Sequence, residues 1–529
     1  MRWIWAGVLV LTLGCEGTIG DPLRDNPSRR PGEFGTEDVR FDARLWRLSP
    51  QHFNGELERL FGSGVPEVVV PASAPENGLS DIAANGRVDV GNAAVFAEGV
   101  RSVATWIVNN LAATRCASYG TDECVDTVAG WLPAEAFRRP VSRDEENAVR
   151  ALFDELRADY DYDYAFAGMV RGVLLSPDFL YRTELGEEGD NDEVVELTDY
   201  EIATLLGFAL TDQGPDAELL ADAERGRLRD PDTREEHVRR LMGETGPMWQ
   251  RFFWEWLHMS TLNSQGAEVG LDEALVAQMR EEYDVFVDTT IAQDRGTLRE
   301  LLTATHSWTR PELAAHYGSS HPGSGLERVE HDATQRGGLL TQAAWLVSHG
   351  KRGRANVVRR GMGVFIDAMC FDITPPADLD LEAELERIAG PDATVKEIVE
   401  ARGQDGTCGN CHRLADPIGL VFESFASDGS WQTEYVADGN PVETEISLDG
   451  LGTFDRANDF SGALVDDLRF QHCMVQRLAH FMVGIDVGTP DAITWTSEAH
   501  AAFLTSDTSF EELLVAIVRH PAFIERNKD

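Results

Sequence analysis

The chain has 529 residues, 46 basic and 91 acidic side chains, and a formal net charge of −45. Apolar residues make up 43% of it, which is enough for packed cores and excludes disorder over the whole length. The acidic excess argues against a nucleic-acid-binding protein and against docking on anionic lipid, because both need clustered Lys and Arg. A chain of this length is expected to divide into several domains.

The first fifteen residues have the pattern of a bacterial lipoprotein signal. Arg2 is a short basic region, and Ile4 to Leu13 form an apolar core that is too short to span a bilayer. Gly14-Cys15 ends this core, and Cys15 would become the lipidated first residue of the mature protein. We therefore expect an exported lipoprotein of a bacterium, in the periplasm, outer membrane or cell surface, that touches the membrane only through its lipid anchor.

Residues 408–412 read CGNCH, the Cys-x-x-Cys-His pattern of covalent c-type haem attachment. In that chemistry Cys408 and Cys411 bond to the two haem vinyl groups, and the imidazole of His412 becomes the proximal iron ligand. A zinc knuckle would need a second Cys or His pair at similar spacing. A thioredoxin-like pair would need a strand before the motif and a helix after it, whereas both flanks look like loops. The motif therefore predicts one covalent haem c per chain.

Four other cysteines are expected to form two disulfide bonds. Cys116 and Cys124 close a short polar loop. By elimination Cys370 would pair with Cys473, and the alternative for these two is a pair of buried free thiols.

Other residues are candidates for the ligands of the haem iron and their support. The carbonyl of Pro417 would orient His412 through its second ring N–H, unless Asp416-Pro417 is a plain turn. Met474 or Met482 would be the axial ligand. Both methionines also fall on the apolar stripe of a predicted helix, which favours a core position, and an open sixth coordination site is a further alternative.

The one dense basic stretch of the chain lies at residues 351–360. Its Arg354 and Arg360 would pair with the haem propionates, unless the stretch only neutralises neighbouring acids. Three histidines between residues 316 and 331 favour a solvated loop over a metal site.

Helix signals recur along most of the chain. Capping boxes begin at Ser142, Thr198 and Ser509, and few stretches alternate with period two. We predict a mainly α protein of several consecutive helical modules, with a c-type-cytochrome-like module toward the C-terminus. At most a small β hairpin is expected, within residues 431–455.

One internal repeat stands out, because LLSPDFLYR at 174–182 is similar to IVRHPAFIER at 517–526. In both segments a proline is followed by Phe two residues later and by Arg five residues later. The pattern favours a helix that ends at the proline, an aromatic ring on the core, and an Arg that caps or pairs.

Several strings resemble the large exported proteins of planctomycetes and myxobacteria that are built from planctomycete-specific and planctomycete-cytochrome domains of unknown function. These strings are RLSPQHFNGELERLFG at 47–62, AFRRPVSRDE at 136–145, SPDFLYRTELG at 176–186, RPELAAHYG at 310–318, RGGLLTQAAWLVSHGKRGRANVVRRG at 336–361, CGNCHRLADPIGLVFESFASDGSW at 408–431 and LDGLGTFDRANDFSGALVDDLRFQHCMVQRLAHFMVG at 448–484. The resemblance implies a haem-binding module inside a multi-module exported protein, and it implies no particular reaction.

These observations predict a domain order. It is a signal peptide at 1–15, a linker at 16–45, helical modules at 46–125, 126–190 and 191–330, a cytochrome-type module at 331–435 and a C-terminal helical module at 436–529.

The expected function is electron transfer, or the redox module of a periplasmic or cell-surface oxidoreductase, with an unidentified redox partner protein and no nucleic acid. The alternative is a non-redox binding or scaffold protein of the cell envelope, in which Cys408 and Cys411 form a disulfide or a metal site. A hydrolase is a third hypothesis, but the sequence has no nucleophile or acid–base motif to support it. Whether the chain is an enzyme stays open.

Overall fold

The computed structural model describes most of the chain after residue 40. The described residues are 41–71, 79–80, 90–188, 194–352, 356–371, 393–404, 409–436, 439–448, 450–484 and 490–528. Cys15, Arg354 and Cys408 lie outside them, and Cys411 is described only as part of a helical backbone. Among the described residues no helix combines the length and apolar character needed to cross a membrane.

The chain divides into two compact units, and each combines distant parts of the sequence. The terminal unit comprises Pro31–Trp256, Phe286–Leu298 and Met474–Asp529. The central unit contains Leu257–Val285 and Arg299–Cys473.

The predicted mainly α fold is confirmed. In chain order the first eleven α-helices are α1 (Pro50–Phe61), α2 (Val90–Asn109), α3 (Asp122–Ala136), α4 (Arg143–Asp159), α5 (Tyr162–Leu174), α6 (Pro177–Leu180), α7 (Asp199–Thr211), α8 (Ala217–Glu224), α9 (Pro231–Leu241), α10 (Gly246–Trp256) and α11 (Leu262–Val269). They are followed by α12 (Glu273–Val287), α13 (Leu298–Thr303), α14 (Pro311–His316), α15 (Ala343–Ser348), α16 (Val357–Met362), α17 (Val395–Gln404), α18 (Gly409–Leu420), α19 (Ala457–Val465), α20 (Leu468–Val483), α21 (Pro490–Thr505) and α22 (Phe510–Arg519).

Each of the three predicted capping positions begins a helix. The hydroxyl of Ser142 accepts from the backbone N–H of Glu145, and the Glu145 carboxylate accepts from the Ser142 backbone N–H at 2.7 Å. Thr198 and Glu201 make the same reciprocal pair. At Ser509 the hydroxyl accepts from the backbone N–H three residues later. These bonds satisfy N–H groups that the first turn of a helix leaves without a partner.

The strands are short. They are β1 (Phe41–Asp42), β2 (Arg44–Arg47), β3 (Tyr181–Glu184), β4 (Glu187–Glu188), β5 (Val194–Glu196), β6 (His306–Thr309), β7 (Glu327–Glu330), β8 (Ile446–Leu448), β9 (Gly452–Phe454) and β10 (Glu525–Asn527). One sheet has the order β1-β10-β5-β4, and the pairs β2-β3, β6-β7 and β8-β9 form separate sheets.

The hairpin expected within residues 431–455 is present as β8 with β9. The strand content is larger than the single small hairpin that we predicted. Strands of two to four residues are too short to show an alternating pattern. Some also join distant segments, as where β1 pairs in parallel with β10, and such pairing leaves no local turn signal in the sequence.

The two similar segments play the structural role that the pattern predicted. In the terminal unit, α5 and α22 both end just before a proline, and Phe179 and Phe523 are then fully buried. Arg182 and Arg526 follow in β3 and β10, and both are buried. Arg526 Nε donates to Glu184 Oε2 at 2.8 Å, so the repeated arginine pairs with a buried carboxylate.

Both predicted disulfide bonds are confirmed. Cys116 bonds to Cys124 within the terminal unit, and Cys370 bonds to Cys473 within the central unit. The alternative of buried free thiols at Cys370 and Cys473 is therefore wrong.

In the central unit two helices pack so closely that only glycine fits at the contact. A Cβ atom on Gly361 of α16 would collide with the carbonyl oxygen of Ala415 in α18. A Cβ atom on Gly419 of α18 would collide with the carbonyl oxygen of Val357 in α16. Two glycines thus set the backbone contact that holds the helix following the CGNCH motif.

Candidate functional site

His412 lies in the first turn of α18, and its imidazole is held by a buried carboxylate. Asp416 follows four residues later on the same face of the helix, and its Oδ1 is 2.9 Å from His412 Nδ1. Asp416 is fully buried, whereas the His412 side chain is 17% exposed. Arg402 of α17 completes the group, because its NH2 is 2.8 Å from Asp416 Oδ2. The guanidinium balances the carboxylate charge inside the unit.

This arrangement fixes the tautomer of His412. A carboxylate only accepts hydrogen bonds, so in the neutral imidazole Nδ1 carries the ring proton and Nε2 keeps its lone pair. Among the described residues none hydrogen-bonds to Nε2 of His412. A metal-binding imidazole characteristically donates its other N–H to a carboxylate, which orients the ring and raises its basicity. The donor set at His412 therefore fits the proximal ligand of a c-type haem.

The predicted role of Pro417 needs correction. His412 Nδ1 contacts the Asp416 carboxylate, not the carbonyl of Pro417. Pro417 also does not form a plain turn, since it lies inside the helix Gly409–Leu420. The segment after the motif is thus helical where a loop was expected. The spacing of His412 and Asp416, four residues apart, is the signal that could have predicted this pair.

Arg360 is fully buried beside α18 and serves the fold. Its NH1 donates to the carbonyls of Phe422 at 2.9 Å and Phe425 at 2.6 Å, and NH2 donates to Ala426 at 2.8 Å. Glu423 Oε1 lies 3.8 Å from NH1. Because these donors bind the turn that follows α18, we do not retain Arg360 as a partner of the propionates, and the prediction for Arg354 lies outside the described residues.

The two candidate axial methionines lie on α20 in the part assigned to the terminal unit, whereas His412 belongs to the central unit. Met474 is 0% exposed and Met482 is 1% exposed. Both therefore occupy the apolar core positions that the stripe of α20 predicted, and their role as ligands stays a prediction.

A cavity of about 290 Å³ lies on another face of α16 in the central unit. His258, His349, Met362 and Asp367 are among the residues that line it. Nδ1 of His349 lies 3.0 Å from the Trp345 carbonyl, and burial lowers the pKa of His349 to about 4. The ring is therefore neutral at physiological pH. No sequence pattern predicted this cavity, because its lining residues come from three separate segments.

The histidines between residues 316 and 331 bind protein groups. His316 contacts the carbonyl of Asp428, and His321 contacts those of Gly323 and Thr309. Across the described residues no group of three or more His, Cys, Asp or Glu side chains could hold a metal ion.

Comparison with known protein families places three domain models on the chain. Residues 124–184 match PSD5, a protein of unknown function (DUF1595), and residues 197–319 match PSD4, a protein of unknown function (DUF1592). Residues 336–435 match PSCyt3, a protein of unknown function (DUF1588), and this match contains CGNCH and all of α18. No curated protein and no solved structure matches the chain significantly.

The three matches follow one another along the chain, and the third has the cytochrome-type description that the strings at 336–361 and 408–431 resembled. The chain therefore belongs to the multi-module proteins built from planctomycete-specific domains and a planctomycete-cytochrome-type domain of unknown function.

Proposed function

We propose that this protein is an exported lipoprotein with one covalent haem c, acting in electron transfer or as the redox module of a periplasmic or cell-surface oxidoreductase. The observation that supports this most is the pair His412–Asp416, joined at 2.9 Å directly after two cysteines at haem-attachment spacing. Haem, when bound, supplies one-electron redox chemistry at its iron.

The chain would contribute three things at this site. The thiols of Cys408 and Cys411 would form the covalent bonds, and the lone pair on His412 Nε2 would bind the iron. Asp416 holds the imidazole in the required tautomer and orientation through Nδ1. Arg402 NH2 lies 2.8 Å from Asp416 Oδ2 and balances the charge of this buried carboxylate.

The test is a pyridine haemochrome spectrum of denatured, acid-acetone-extracted protein. The full-length precursor would be expressed in a bacterium with an active cytochrome c maturation system. We expect a c-type spectrum in the wild type and none in Cys408→Ala/Cys411→Ala. The matched control is Cys116→Ala/Cys124→Ala, which removes two cysteines that form a disulfide in the other unit and should keep the spectrum.

A colourless wild-type product, beside a control cytochrome that matures, would contradict the proposal. Disulfide mapping and zinc analysis of the same sample would then show whether Cys408 and Cys411 form a disulfide or a metal site.

Attachment to the membrane is proposed only through Cys15. Labelling with a radioactive fatty acid should mark the wild type and leave Cys15→Ala unlabelled. Equal labelling of the two proteins would contradict a lipid anchor at this residue. A redox partner protein is part of the proposal, and nucleic acid is not.

A further inference from the structure

A buried glutamate of the central unit accepts two hydroxyl hydrogen bonds. Glu282 lies on α12 and is 0% exposed. Ser307 Oγ of β6 donates to its Oε1 at 2.5 Å, and the hydroxyl of Tyr317 donates to its Oε2. The Tyr317 hydroxyl in turn accepts from the backbone N–H of Ala343 at 2.9 Å, at the start of α15. Glu282 thus joins three segments of the unit.

A chain of hydrogen bonds leads from Glu282 to the surface. Ser307 Oγ is 2.7 Å from His331 Nε2, and His331 Nδ1 is 2.9 Å from Ser319 Oγ. Ser319 is partly exposed in the loop after α14. The four groups therefore form an unbroken series from solvent to a buried carboxyl.

The number of available protons gives the series one direction. Ser307 has a single hydroxyl proton and donates it to Glu282, so its oxygen accepts from His331 Nε2–H. His331 Nδ1 then carries a lone pair and accepts from the Ser319 hydroxyl. Every bond points toward Glu282 when that carboxyl is ionised.

We propose that Ser319, His331 and Ser307 form a proton relay through which Glu282 takes up and releases one proton from solvent. A proton from water replaces the Ser319 proton as that proton moves to His331 Nδ1. The Nε2 proton moves to Ser307, and the Ser307 proton moves to Glu282 Oε1. All three hydrogen bonds remain, with their direction reversed, and no other reactant is needed.

The charges around Glu282 support this behaviour. Arg336 is the cation packed over the Tyr317 ring, and its guanidinium donates to the carbonyls of Thr341 and Gly429. On α12 itself the adjacent Glu281 is paired with Arg310. His306 of β6 and His331 are the neighbouring imidazoles. Burial raises the pKa of Glu282 to about 7. The hydrogen bonds from the two hydroxyls and the charge of Arg336 act in the opposite direction and limit this rise.

The properties of His331 and the space around it fit a relay better than a catalytic centre. Burial, Arg336 and His306 lower the pKa of His331 to about 4, so the ring stays neutral between transfers. A cavity of about 10 Å³ borders Glu282, Ser307 and His331, which is room for no more than one water. The relay lies outside the CGNCH motif and does not depend on the proposed haem.

The experiment follows the infrared C=O stretch of a buried protonated carboxyl in the full-length mature protein. The pH is jumped from about pH 9 to about pH 6, across the raised pKa of Glu282. We expect a band that persists in Glu423→Gln and disappears in Glu423→Gln/Glu282→Gln. In His331→Gln, whose amide forms hydrogen bonds but cannot pass a proton, the band should appear at least about tenfold more slowly. Ser307→Ala, which removes one buried hydroxyl, should slow it similarly.

His321→Gln is the matched control and should keep the wild-type rate. Among the described residues, this neighbouring histidine forms its hydrogen bonds with backbone groups. Because burial also raises the pKa of Glu423 to about 7, the decisive comparison is made in the Glu423→Gln background. A band that survives the further change Glu282→Gln would overturn the assignment of the proton to this residue. Wild-type rates in both His331→Gln and Ser307→Ala would overturn the relay, and Ser307→Ala decides the question if the histidine variant does not fold.

Discussion

Each unit contains a histidine whose ring nitrogen lies against a buried aspartate, and the two sites differ in one contact. In the central unit His412 Nδ1 is 2.9 Å from Asp416. In the terminal unit His237 Nε2 is 3.1 Å from Asp222. Each aspartate also pairs with arginine, so the residue types are the same in both places.

The difference is at the second ring nitrogen. His237 Nδ1 lies 2.9 Å from Arg240 NH2, and the His237 side chain is 3% exposed. Both of its nitrogens are therefore used by the protein. His412 is 17% exposed, and no described residue bonds to its Nε2. A histidine paired with an aspartate is a structural element when its second ring nitrogen is hydrogen-bonded to another protein group. It is a candidate metal ligand when no described protein group uses the lone pair on that nitrogen.

The largest expected effect follows from removing the ligand itself. His412→Ala should lower the yield of haem-containing protein by about tenfold or more, because the iron loses its predicted proximal ligand. The measurement is absorbance of haem relative to protein in the purified chain. His237→Ala is the matched control and should retain its haem, so equal yields in the two variants would contradict the assignment.

Glu423, just after α18, should make stability depend on pH. Burial raises its pKa to about 7, although Arg360 opposes this shift. The native state then holds a proton that the unfolded chain releases, so stability falls as pH rises from about 4.5 to about 7 and is level above that. The change is at most about 3 kcal/mol.

This dependence can be measured by urea unfolding across that interval. Glu423→Gln should make the slope shallower without removing it, because burial also raises the pKa of Glu282 to about 7. The matched control is Glu145→Gln, because the Arg139 contact, with further hydrogen bonds from Ser142, lowers the pKa of that exposed carboxyl to about 2. A slope in Glu423→Gln that equals the wild-type slope would contradict the account.

The structural histidine should affect folding more than function. His237→Ala leaves the buried carboxylate of Asp222 without one of its partners and should lower the free energy of unfolding by about 2 kcal/mol. Burial alone would raise the pKa of Asp222, but bonds from Arg227 and His237 outweigh it, and the pKa lies below its ordinary value. Urea unfolding measures the loss, and an unchanged midpoint would show that the pair contributes nothing.

The smallest expected effect concerns the tuning of the site. Asp416→Asn replaces a charged acceptor by a neutral one and makes the His412 imidazole a poorer donor to ferric iron. Destabilising the ferric state by about 1 kcal/mol relative to the ferrous state raises the reduction potential by about 40 mV. Redox titration of the purified protein measures this, with Asp222→Asn as the control. A potential that does not move would remove Asp416 from the tuning of the site.

Local patterns predicted the helices well, because caps such as Ser142 with Glu145 involve residues three positions apart. The repeated proline, phenylalanine and arginine also predicted buried positions. The sheets were underestimated, since β1 meets β10 across almost the whole chain. Sequence periodicity is a local pattern and does not reveal such distant contacts.

At the candidate site, the spacing and number of the cysteines predicted a haem-attachment role for CGNCH and predicted both disulfides. It missed Asp416 and Arg402, although the spacing of four residues between His412 and Asp416 was available. Arg360 was assigned to the propionates because it belongs to the dense basic stretch at 351–360, inside the string at 336–361 that carries the resemblance. Only the three carbonyls around its guanidinium reveal that it binds the turn after α18.

The most direct test of the central claim is mass spectrometry of the mature, exported protein after protease digestion. We predict that the peptide containing residues 408–412 carries the added mass of one haem, and that no other peptide does. Two results, obtained in a host that matures a control cytochrome, would contradict the account. The peptide would be unmodified, or it would contain a disulfide between Cys408 and Cys411.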